Sequence, residues 1–297
     1  MHQDSASPKS DLFNRIALRR CIKGDTVRLG CCGNMISPST DPVGIDVVEK
    51  MAEIGFDYIE LSLSDLAALP ESAFGDLARR IDRSGIRCEA CNNFFPRRIR
   101  LTGEQARLKT ALEYAHQALD RAARLRAQII VFGSSGAKNV PEGFSKEAAW
   151  RQIVELLRQL GPEAAERGLT IVIEPINGRE SNIVNLAADG LRLAREVDHP
   201  NIQLLVDFYH LMMEREDPEI ILNAGEAVRH LHFAEVEERA FPKDRKPAHT
   251  LFFNTMRRIH YSGRCSIEAY TGDFHADARR ALHVLRAPEM AGERGAA

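Results

Sequence analysis

Residues 153–174 read IVELLRQLGPEAAERGLTIVIE, one complete unit of the pattern that decides the fold. Apolar residues recur at three and four spacing from Ile153 to Leu160, which predicts a helix with one buried face. The short apolar run from Thr170 to Ile173 then predicts a buried strand, and Glu174 follows it directly. The segment therefore predicts a helix that leads into a strand, with a carboxylate at the carboxyl end of that strand.

The same alternation of strand and helix runs through most of the chain. Eight short apolar, β-branched runs are predicted as strands: Val27 to Cys32, Tyr58 to Leu63, Ile86 to Cys91, Ile129 to Phe132, Thr170 to Ile173, Ile202 to Val206, Val228 to Phe233 and Arg264 to Ile267. Eight strand-plus-helix units predict an α/β fold, a single-domain (β/α)₈ TIM barrel. The alternative, a doubly wound open sheet, would carry a GxGxxG turn after its first strand, and Gly30, Gly33 and Asn34 do not form one.

The predicted barrel occupies residues 25–287 and shows no internal domain boundary. Residues 1–24 are polar and then basic, and we expect them to form an N-terminal arm. Residues 288–297 are rich in Gly and Ala, and we expect them to form a flexible C-terminal tail.

Composition and charge argue against several classes of function. The 297 residues carry 40 Lys and Arg against 42 Asp and Glu, whereas a nucleic-acid binder usually has a basic excess. With 44% hydrophobic and 28% charged residues, the chain is predicted to be a soluble globular protein. No stretch approaches the roughly 20 apolar residues that span a bilayer, and residues 1–23 lack the apolar centre of a signal peptide. We therefore expect a cytoplasmic protein with neither a nucleic-acid nor a membrane partner.

The six cysteines are expected to be reduced, buried thiols, because they are scattered over a chain without a secretory signal. Cys88 and Cys91 form a CxxC pair inside a predicted strand. Residues three apart on a regular strand point to opposite faces, so this pair is not expected to share a metal ion without a bend.

Polar residues stand at the ends of the fifth to eighth predicted strands, the edge at which a TIM barrel carries its active site. These residues are Glu174, Asp207, His232 and Glu268. An unpaired charge directly after buried apolar residues is costly, so we expect the four side chains to converge on a ligand. Three carboxylates and one imidazole suit Mn²⁺, Mg²⁺ or Co²⁺, and Zn²⁺ is less favoured because no thiolate takes part. The alternative for each residue is a structural ion pair with Arg or Lys.

The sequences around these four strand ends resemble those of the xylose isomerase-like TIM-barrel superfamily. They read IEPIN from Ile173, VDFYH from Val206, HLHFAE from His230 and SIEAY from Ser266. The resemblance covers the chain from Val27 to Arg286 and points to the sugar isomerases and epimerases typified by D-tagatose 3-epimerase and D-psicose 3-epimerase.

The resemblance implies a set of functional residues. It implies one divalent metal ion held by Glu174, Asp207, His232 and Glu268. For this ion we expect Mn²⁺, with Mg²⁺, Co²⁺ or Zn²⁺ as alternatives. It also implies that the two glutamates of this set move the proton, and that Glu180 and His210 contact the substrate. Dimers or tetramers are common in the superfamily, so a homo-oligomer is expected.

One position departs from the ketose epimerases. Their substrate-binding arginine follows the histidine of the seventh strand, and the nearest candidate here, Arg239, lies one residue further along. A loop can absorb that offset, but the identity of the bound sugar stays open. From their positions in the chain, we expect Asn177 to anchor a sugar hydroxyl and Tyr270 to cover one face of the sugar.

The residues predict the first chemical step better than the product. A metal-bound carbonyl acidifies the neighbouring C–H and stabilises an enediolate, so that one carboxylate can take a proton and another can return one. We therefore expect a metal-dependent sugar isomerase or epimerase of the ketose 3-epimerase type, with Glu174 and Glu268 as the acid–base pair. Its substrate would be a small sugar or sugar derivative.

Other functions stay open at this point. A leaving group β to the carbanion would make the site a lyase. The candidates are an inosose or 3-dehydroshikimate dehydratase, and the metal-binding subunit of a C-glycoside deglycosidase, which acts on 3-oxo-glycosides with a small partner subunit. An endonuclease IV-type DNA repair enzyme shares the barrel but needs histidines on strands two and three, which here read IELSL and EACNN. The segment from Ser134 to Asn139 is a further candidate, for cradling a substrate phosphate through backbone N–H groups.

Overall fold

The computed structural model describes residues 27–286, and these residues form a closed barrel of eight parallel strands. Each strand pairs with its neighbours in the sequence, and the eighth strand pairs with the first to close the ring. The predicted α/β TIM barrel is thereby confirmed. The arm predicted for residues 1–24 and the tail predicted for residues 288–297 lie outside the described residues.

The strands lie within two residues of their predicted bounds. They are β1 Arg28–Cys32, β2 Tyr58–Ser62, β3 Cys88–Asn92, β4 Ile129–Phe132, β5 Thr170–Ile173, β6 Ile202–Asp207, β7 Val228–Phe233 and β8 Arg264–Ile267. Side chains alternate along each strand between the outer helices and the barrel interior. The apolar side chains packed together inside the barrel are Tyr58, Ala90, Ile129, Val131, Val172 and Leu205.

Twelve α-helices in this range connect or follow the strands. They are α1 Gly33–Ile36, α2 Val48–Ile54, α3 Leu63–Ala68, α4 Glu71–Ser84, α5 Leu108–Arg124, α6 Ser135–Lys138, α7 Lys146–Glu166, α8 Ala187–Val197, α9 Phe208–Met213, α10 Ile220–Ala224, α11 Pro247–Arg258 and α12 Phe274–Leu285. Two short 3₁₀ helices, Gly225–Ala227 and Glu237–Arg239, lie before and after β7. None of the helices formed by residues 27–286 is long and apolar enough to cross a membrane.

Ion pairs around the buried Glu89 lie at the amino-terminal end of the barrel. Glu89 on β3 accepts hydrogen bonds from Arg28 on β1 at 2.5 Å and from Arg264 on β8 at 2.7 Å. The amino-terminal face of a TIM barrel carries stability rather than catalysis. We therefore interpret this cluster as structural.

A β-bulge in β3 overturns the expectation for the CxxC pair. The pairing of β2 with β3 shifts from Ile59 opposite Cys88 to Glu60 opposite Ala90, which makes Glu89 an extra residue. The bulge supplies the bend that a regular strand lacks, and the Sγ atoms of Cys88 and Cys91 lie 3.9 Å apart. The prediction that these side chains point apart is therefore wrong, whereas both are buried free thiols as expected.

Candidate active site

The four predicted metal ligands stand at the carboxyl ends of four neighbouring strands. Glu174 and Glu268 directly follow β5 and β8, Asp207 is the last residue of β6, and His232 lies near the end of β7. Val172 and Leu205 face the barrel interior, and alternation along the strand turns the residues two positions later the same way. The pleat of the strands thus aims these side chains at one point in the barrel mouth.

The four side chains form a buried cluster of possible metal ligands. One donor atom from each lies within 4.8 Å of the donor atoms of the other three. His232 Nδ1 is 2.9 Å from Glu174 Oε1 and 3.4 Å from Glu268 Oε2. Asp207 Oδ1 accepts the backbone N–H of Tyr209 at 2.8 Å, but its buried Oδ2 accepts no hydrogen bond from any described residue. Three carboxylates and one imidazole, with one buried carboxylate oxygen that accepts no hydrogen bond, fit a divalent cation.

The two glutamates of the cluster differ in their electrostatics. Burial and the charge of Glu268 raise the pKa of Glu174. Burial also disfavours the charged form of Glu268, but Arg239 and then His232 outweigh it and lower the pKa of this carboxyl to about 2. Opposed shifts within a pair of carboxyls separate an acid from a base.

Asp207 and His232 are both shifted toward their protonated forms when no cation is bound. Burial raises the pKa of Asp207 to about 7, against the opposing effect of the Arg239 charge. Burial disfavours the charged form of His232, but the surrounding carboxylates, Glu60 foremost, outweigh it and raise the pKa of this imidazole well above its ordinary value. A bound metal ion would therefore displace protons from the cluster.

Three predicted substrate contacts form a connected group beside this cluster. Asn177 Nδ2 donates to His210 Nδ1 at 2.8 Å and to Glu180 Oε1 at 2.9 Å. Burial lowers the pKa of His210 to about 3, so this imidazole is neutral. Because its Nδ1 accepts a hydrogen bond, Nε2 carries the hydrogen, and Nε2 lies 3.6 Å from Asp207 Oδ2.

Arg239 reaches the site although it lies one residue beyond the position expected of a ketose epimerase. The backbone takes left-handed φ angles of 59° at Glu238 and 48° at Arg239, which turn the loop after β7 back toward the barrel. The guanidinium pairs with Glu268 and lies 3.9 Å from Asp207 Oδ2 and 3.5 Å from Glu180 Oε2. The predicted alternative of a structural ion pair therefore holds in part, for Glu268.

Tyr270 and Lys138 take positions that differ from the simplest expectation. The side chain of Tyr270 is 57% exposed at the rim, and its backbone N–H donates to Arg239 O at 2.8 Å, which connects the residue to the site.

In the segment from Ser134 to Asn139, the candidate phosphate loop, the Lys138 ammonium is buried and donates to the carbonyl groups of Gly133 and Glu174. This lysine therefore stabilises the backbone at the end of β5, next to Glu174, and its ammonium group does not face a space in which a phosphate could bind.

Two further residues reach the site. Glu60 lies outside the residues singled out from the sequence, whereas Asn92, which follows the third predicted strand, is a candidate for lining the pocket. Glu60 on β2 is fully buried, and one of its carboxylate oxygens lies 3.0 Å from His232 Nε2. Asn92 ends β3 and donates from Nδ2 to Glu268 Oε1 at 3.4 Å. The alternation of Tyr58, Glu60 and Ser62 is a usable signal for the first of these, because it places a carboxylate on the inward face of an apolar strand.

Comparison with known proteins agrees with this barrel. Residues 48–287 match the family of xylose isomerase-like TIM barrels. The chain is 25% identical over 267 residues to the ketose 3-epimerase of Arthrobacter globiformis, across 88% of this chain and 90% of that protein. It is also 25% identical over 230 residues to the D-psicose 3-epimerase of Agrobacterium fabrum, across 75% of this chain and 78% of that protein.

Solved structures resemble the fold at lower identity. The D-allulose 3-epimerase from Methylomonas sp., in complex with D-allulose, is 20% identical with a TM-score of 0.75, across 88% of this chain and 97% of that one. The 3-keto-D-glucoside 4-epimerase from E. coli is 20% identical with a TM-score of 0.74, across 88% of this chain and 99% of that one. The sequence match over most of its length shows that the chain belongs to the xylose isomerase-like TIM barrel family, as the resemblance of its strand ends predicts.

Proposed function

We propose that this protein is a divalent-metal-dependent sugar epimerase of the ketose 3-epimerase type. The observation that carries the proposal is the buried set of three carboxylates and one imidazole at the ends of β5 to β8. Relatives named as D-psicose, ketose and L-ribulose 3-epimerases support a ketose as the substrate. These relatives are enzymes of the epimerase type, which agrees with the prediction of an enzyme.

The proposed metal ligands are Glu174, Asp207, His232 and Glu268. When bound, the cation supplies positive charge that offsets the carboxylates and polarises the substrate carbonyl. We propose Mn²⁺ first, because oxygen-rich ligands with one imidazole suit it, with Mg²⁺, Co²⁺ or Zn²⁺ as alternatives.

Glu174 and Glu268 are the proposed acid–base pair. Before a cation binds, Glu268 favours its ionised form and Glu174 favours its protonated form, so the two carboxyls differ in proton affinity. One carboxylate takes the proton from the carbon next to the carbonyl, and the other returns a proton to the opposite face of that carbon. The configuration at this carbon is thereby inverted, and the two residues exchange roles in the reverse reaction.

The remaining predicted residues are proposed to hold the sugar. Neutral His210 offers an Nε2–H to a substrate oxygen, while Asn177 and Glu180 hold hydroxyl groups. Arg239 offers a charged donor beside Glu268, which suits a substrate oxygen next to the reacting carbon. Tyr270, at the rim, is proposed to cover one face of the bound sugar.

A lyase that acts on 3-oxo sugars is the second candidate. Its first step is the same proton abstraction, so the same cluster serves it. One relative is named 3-dehydro-D-guloside 4-epimerase, and one structural neighbour is named 3-keto-D-glucoside 4-epimerase. These names support 3-oxo sugars as possible substrates of this protein. A deglycosidase with a small partner subunit would use a 3-oxo-glycoside, whereas a dehydratase of the inosose or 3-dehydroshikimate type would use a related cyclic ketone.

The deciding experiment is proton exchange in D₂O followed by NMR. Mn²⁺-loaded and EDTA-stripped protein is incubated with free ketoses, ketose phosphates and 3-oxo-glycosides. We expect metal-dependent exchange at a carbon next to the carbonyl, together with a C3 epimer of a free ketose. An elimination product would favour the lyase. Absence of exchange on every compound, despite bound Mn²⁺, would contradict the proposed chemistry for the isolated chain.

Two Glu→Gln variants test the acid–base assignment. Glu174→Gln and Glu268→Gln each remove one proton-transfer group, so neither variant should turn over the substrate found by the exchange experiment. The exposed Glu142 serves as a control, because Glu142→Gln is the same change outside the site. Full turnover by either active-site variant would overturn the assignment.

We also propose a homo-oligomer, a dimer or a tetramer, which light scattering on the purified protein tests directly. A single-chain mass would contradict it. The cytoplasmic location predicted from the sequence stays a prediction.

A further inference from the structure

Glu60 is a fully buried carboxylate inside the barrel that the proposed mechanism leaves without a role. It lies on β2, on the opposite side of His232 from the ligand cluster, and its Oε1 is 3.0 Å from His232 Nε2. A carboxylate at this depth is costly unless it is paired and hydrogen-bonded. Its partners therefore indicate what it does.

Three side chains hold the Glu60 carboxylate in one orientation. Oε1 faces His232, while Oε2 accepts from Ser266 Oγ at 2.5 Å and lies 2.8 Å from His230 Nε2. Ser266 Oγ is itself 2.7 Å from the hydroxyl of Tyr58, on the floor of the barrel interior. The carboxylate is therefore fixed from below and presents one oxygen upward to His232.

The ring of His232 connects Glu60 with the ligand cluster. Its Nε2 faces Glu60, while its Nδ1 lies 2.9 Å from Glu174 Oε1 and 3.4 Å from Glu268 Oε2. An imidazole that donates its Nε2–H to a carboxylate keeps the Nδ1 lone pair for a metal ion, and such a carboxylate also orients the ring.

We propose that Glu60 is a positioning residue that fixes His232 with Nε2–H turned away from the cluster, so that Nδ1 is the nitrogen that binds the cation. This inference rests on the proposed metal site and extends it by one residue. It assigns to Glu60 a control over metal affinity without any contact with the metal or the substrate.

A second metal site is the alternative use of the same residues. Cys32, Glu60 and His232 also bring donor atoms within 4.8 Å of one another. Glu60 Oε1 faces His232 Nε2 and Oε2 is taken by His230 and Ser266, so both oxygens already have hydrogen-bonding partners. The alternative predicts two cations per chain, whereas positioning by Glu60 predicts one.

Titration of EDTA-stripped protein with Mn²⁺, followed by calorimetry, tests the proposal. We expect one Mn²⁺ per chain in the wild type and a Kd about 10- to 100-fold weaker in Glu60→Gln, the usual range when the carboxylate behind a metal-bound histidine is removed. Glu89→Gln is the matched control, because it makes the same change at another buried carboxylate, at the far end of the barrel. Its Mn²⁺ affinity should equal that of the wild type.

Each other result of the titration has a defined meaning. A purely structural role for Glu60 would lower the melting temperature of the metal-free variant and leave its Mn²⁺ affinity intact, which would overturn the proposal. Two tightly bound ions in the wild type would also overturn it, in favour of the second site. Absence of Mn²⁺ binding by the wild type would overturn the proposed function itself, and this inference with it.

A second readout needs no variant and so does not depend on the folding of Glu60→Gln. In ¹⁵N-labelled wild-type protein loaded with diamagnetic Zn²⁺, long-range ¹H–¹⁵N spectra report which ring nitrogen carries the proton. We expect the proton of His232 on Nε2 and the metal on Nδ1. Metal on Nε2 would overturn the proposal whatever the affinities.

Discussion

Glu174 Oε2 lies so close to Gly133 that a Cβ atom built on this glycine would fall 2.0 Å from it. Gly133 directly follows β4, two residues after the inward-facing Val131, so a side chain there would point into the barrel mouth. Glycine at the end of β4 therefore makes the room that the carboxylate at the end of β5 occupies.

We expect Gly133→Ala to displace the Glu174 carboxylate and to weaken Mn²⁺ binding by at least about tenfold, as other losses of support for a metal ligand do. Calorimetric titration of the metal-free protein measures the change. Gly75→Ala in α4 is the matched control, because its new methyl group has space and alanine favours a helix. Unchanged Mn²⁺ affinity in Gly133→Ala would contradict the ligand role of Glu174.

Arg239 should matter for the sugar as well as for the ionisation of Glu268, whose pKa it lowers. Arg239→Met keeps much of the apolar stem but removes the guanidinium that pairs with Glu268 and faces Glu180. Loss of a charged hydrogen bond should raise KM by about 10- to 100-fold for the substrate found by the exchange experiment. Steady-state kinetics and Mn²⁺ titration separate the two effects, with Arg179→Met as a control at an exposed arginine of the neighbouring loop. A normal KM in Arg239→Met would remove this residue from the proposed sugar contacts.

Metal binding should strengthen as the pH rises from 6 to 8. Burial raises the pKa of Asp207 to about 7 and the carboxylates around His232 raise the pKa of its imidazole, so both groups hold protons in the metal-free protein at the acidic end of this range. Because the cation needs the deprotonated ligands, each proton released contributes up to about a tenfold gain in affinity per pH unit below the pKa. Titrations in buffers of different ionisation enthalpy count these protons. A pH-independent Kd without proton release would show that the metal-free ligands are already deprotonated.

The strand bounds could be predicted closely where glycine or a charged residue marks the ends of a strand in the sequence. The bounds of β5, Thr170–Ile173, are as predicted, because Gly168 precedes the apolar run and Glu174 ends it. β3 begins two residues later than predicted and contains the bulge at Glu89. The position of this extra residue is determined by the hydrogen-bonded pairing of β3 with β2. A sequence pattern read one strand at a time does not contain that pairing.

In the site, too, residues marked by the local sequence could be predicted, whereas residues positioned by distant contacts could not. The convergence of the four proposed ligands could be predicted because each is a polar residue at the end of an apolar strand, a position where a buried charge needs a partner. Glu60 lies in the middle of a strand, where no strand end marks it as a site residue. Its contacts with His232 and Ser266 form only in the folded barrel, because these two residues lie on strands far away in the sequence. The position of Arg239 beside Glu268 likewise depends on left-handed backbone angles at Glu238 and Arg239. Neither residue is a glycine, so the sequence does not predict this turn.

The ion cluster at the amino-terminal end of the barrel should contribute to stability alone. Glu89 is buried and neutralises two arginines, so Glu89→Gln leaves both with a weaker acceptor and should lower the free energy of unfolding by about 1–3 kcal/mol. For a chain of this size, that loss lowers the melting temperature by several degrees, which thermal denaturation of the metal-loaded protein measures. The exposed Glu142→Gln variant should melt as the wild type does. Because the cluster lies at the far end of the barrel from the proposed metal ligands, turnover at a temperature well below melting should be unchanged in Glu89→Gln. A fall in turnover equal to that of an active-site variant would mean that the two ends of the barrel are coupled.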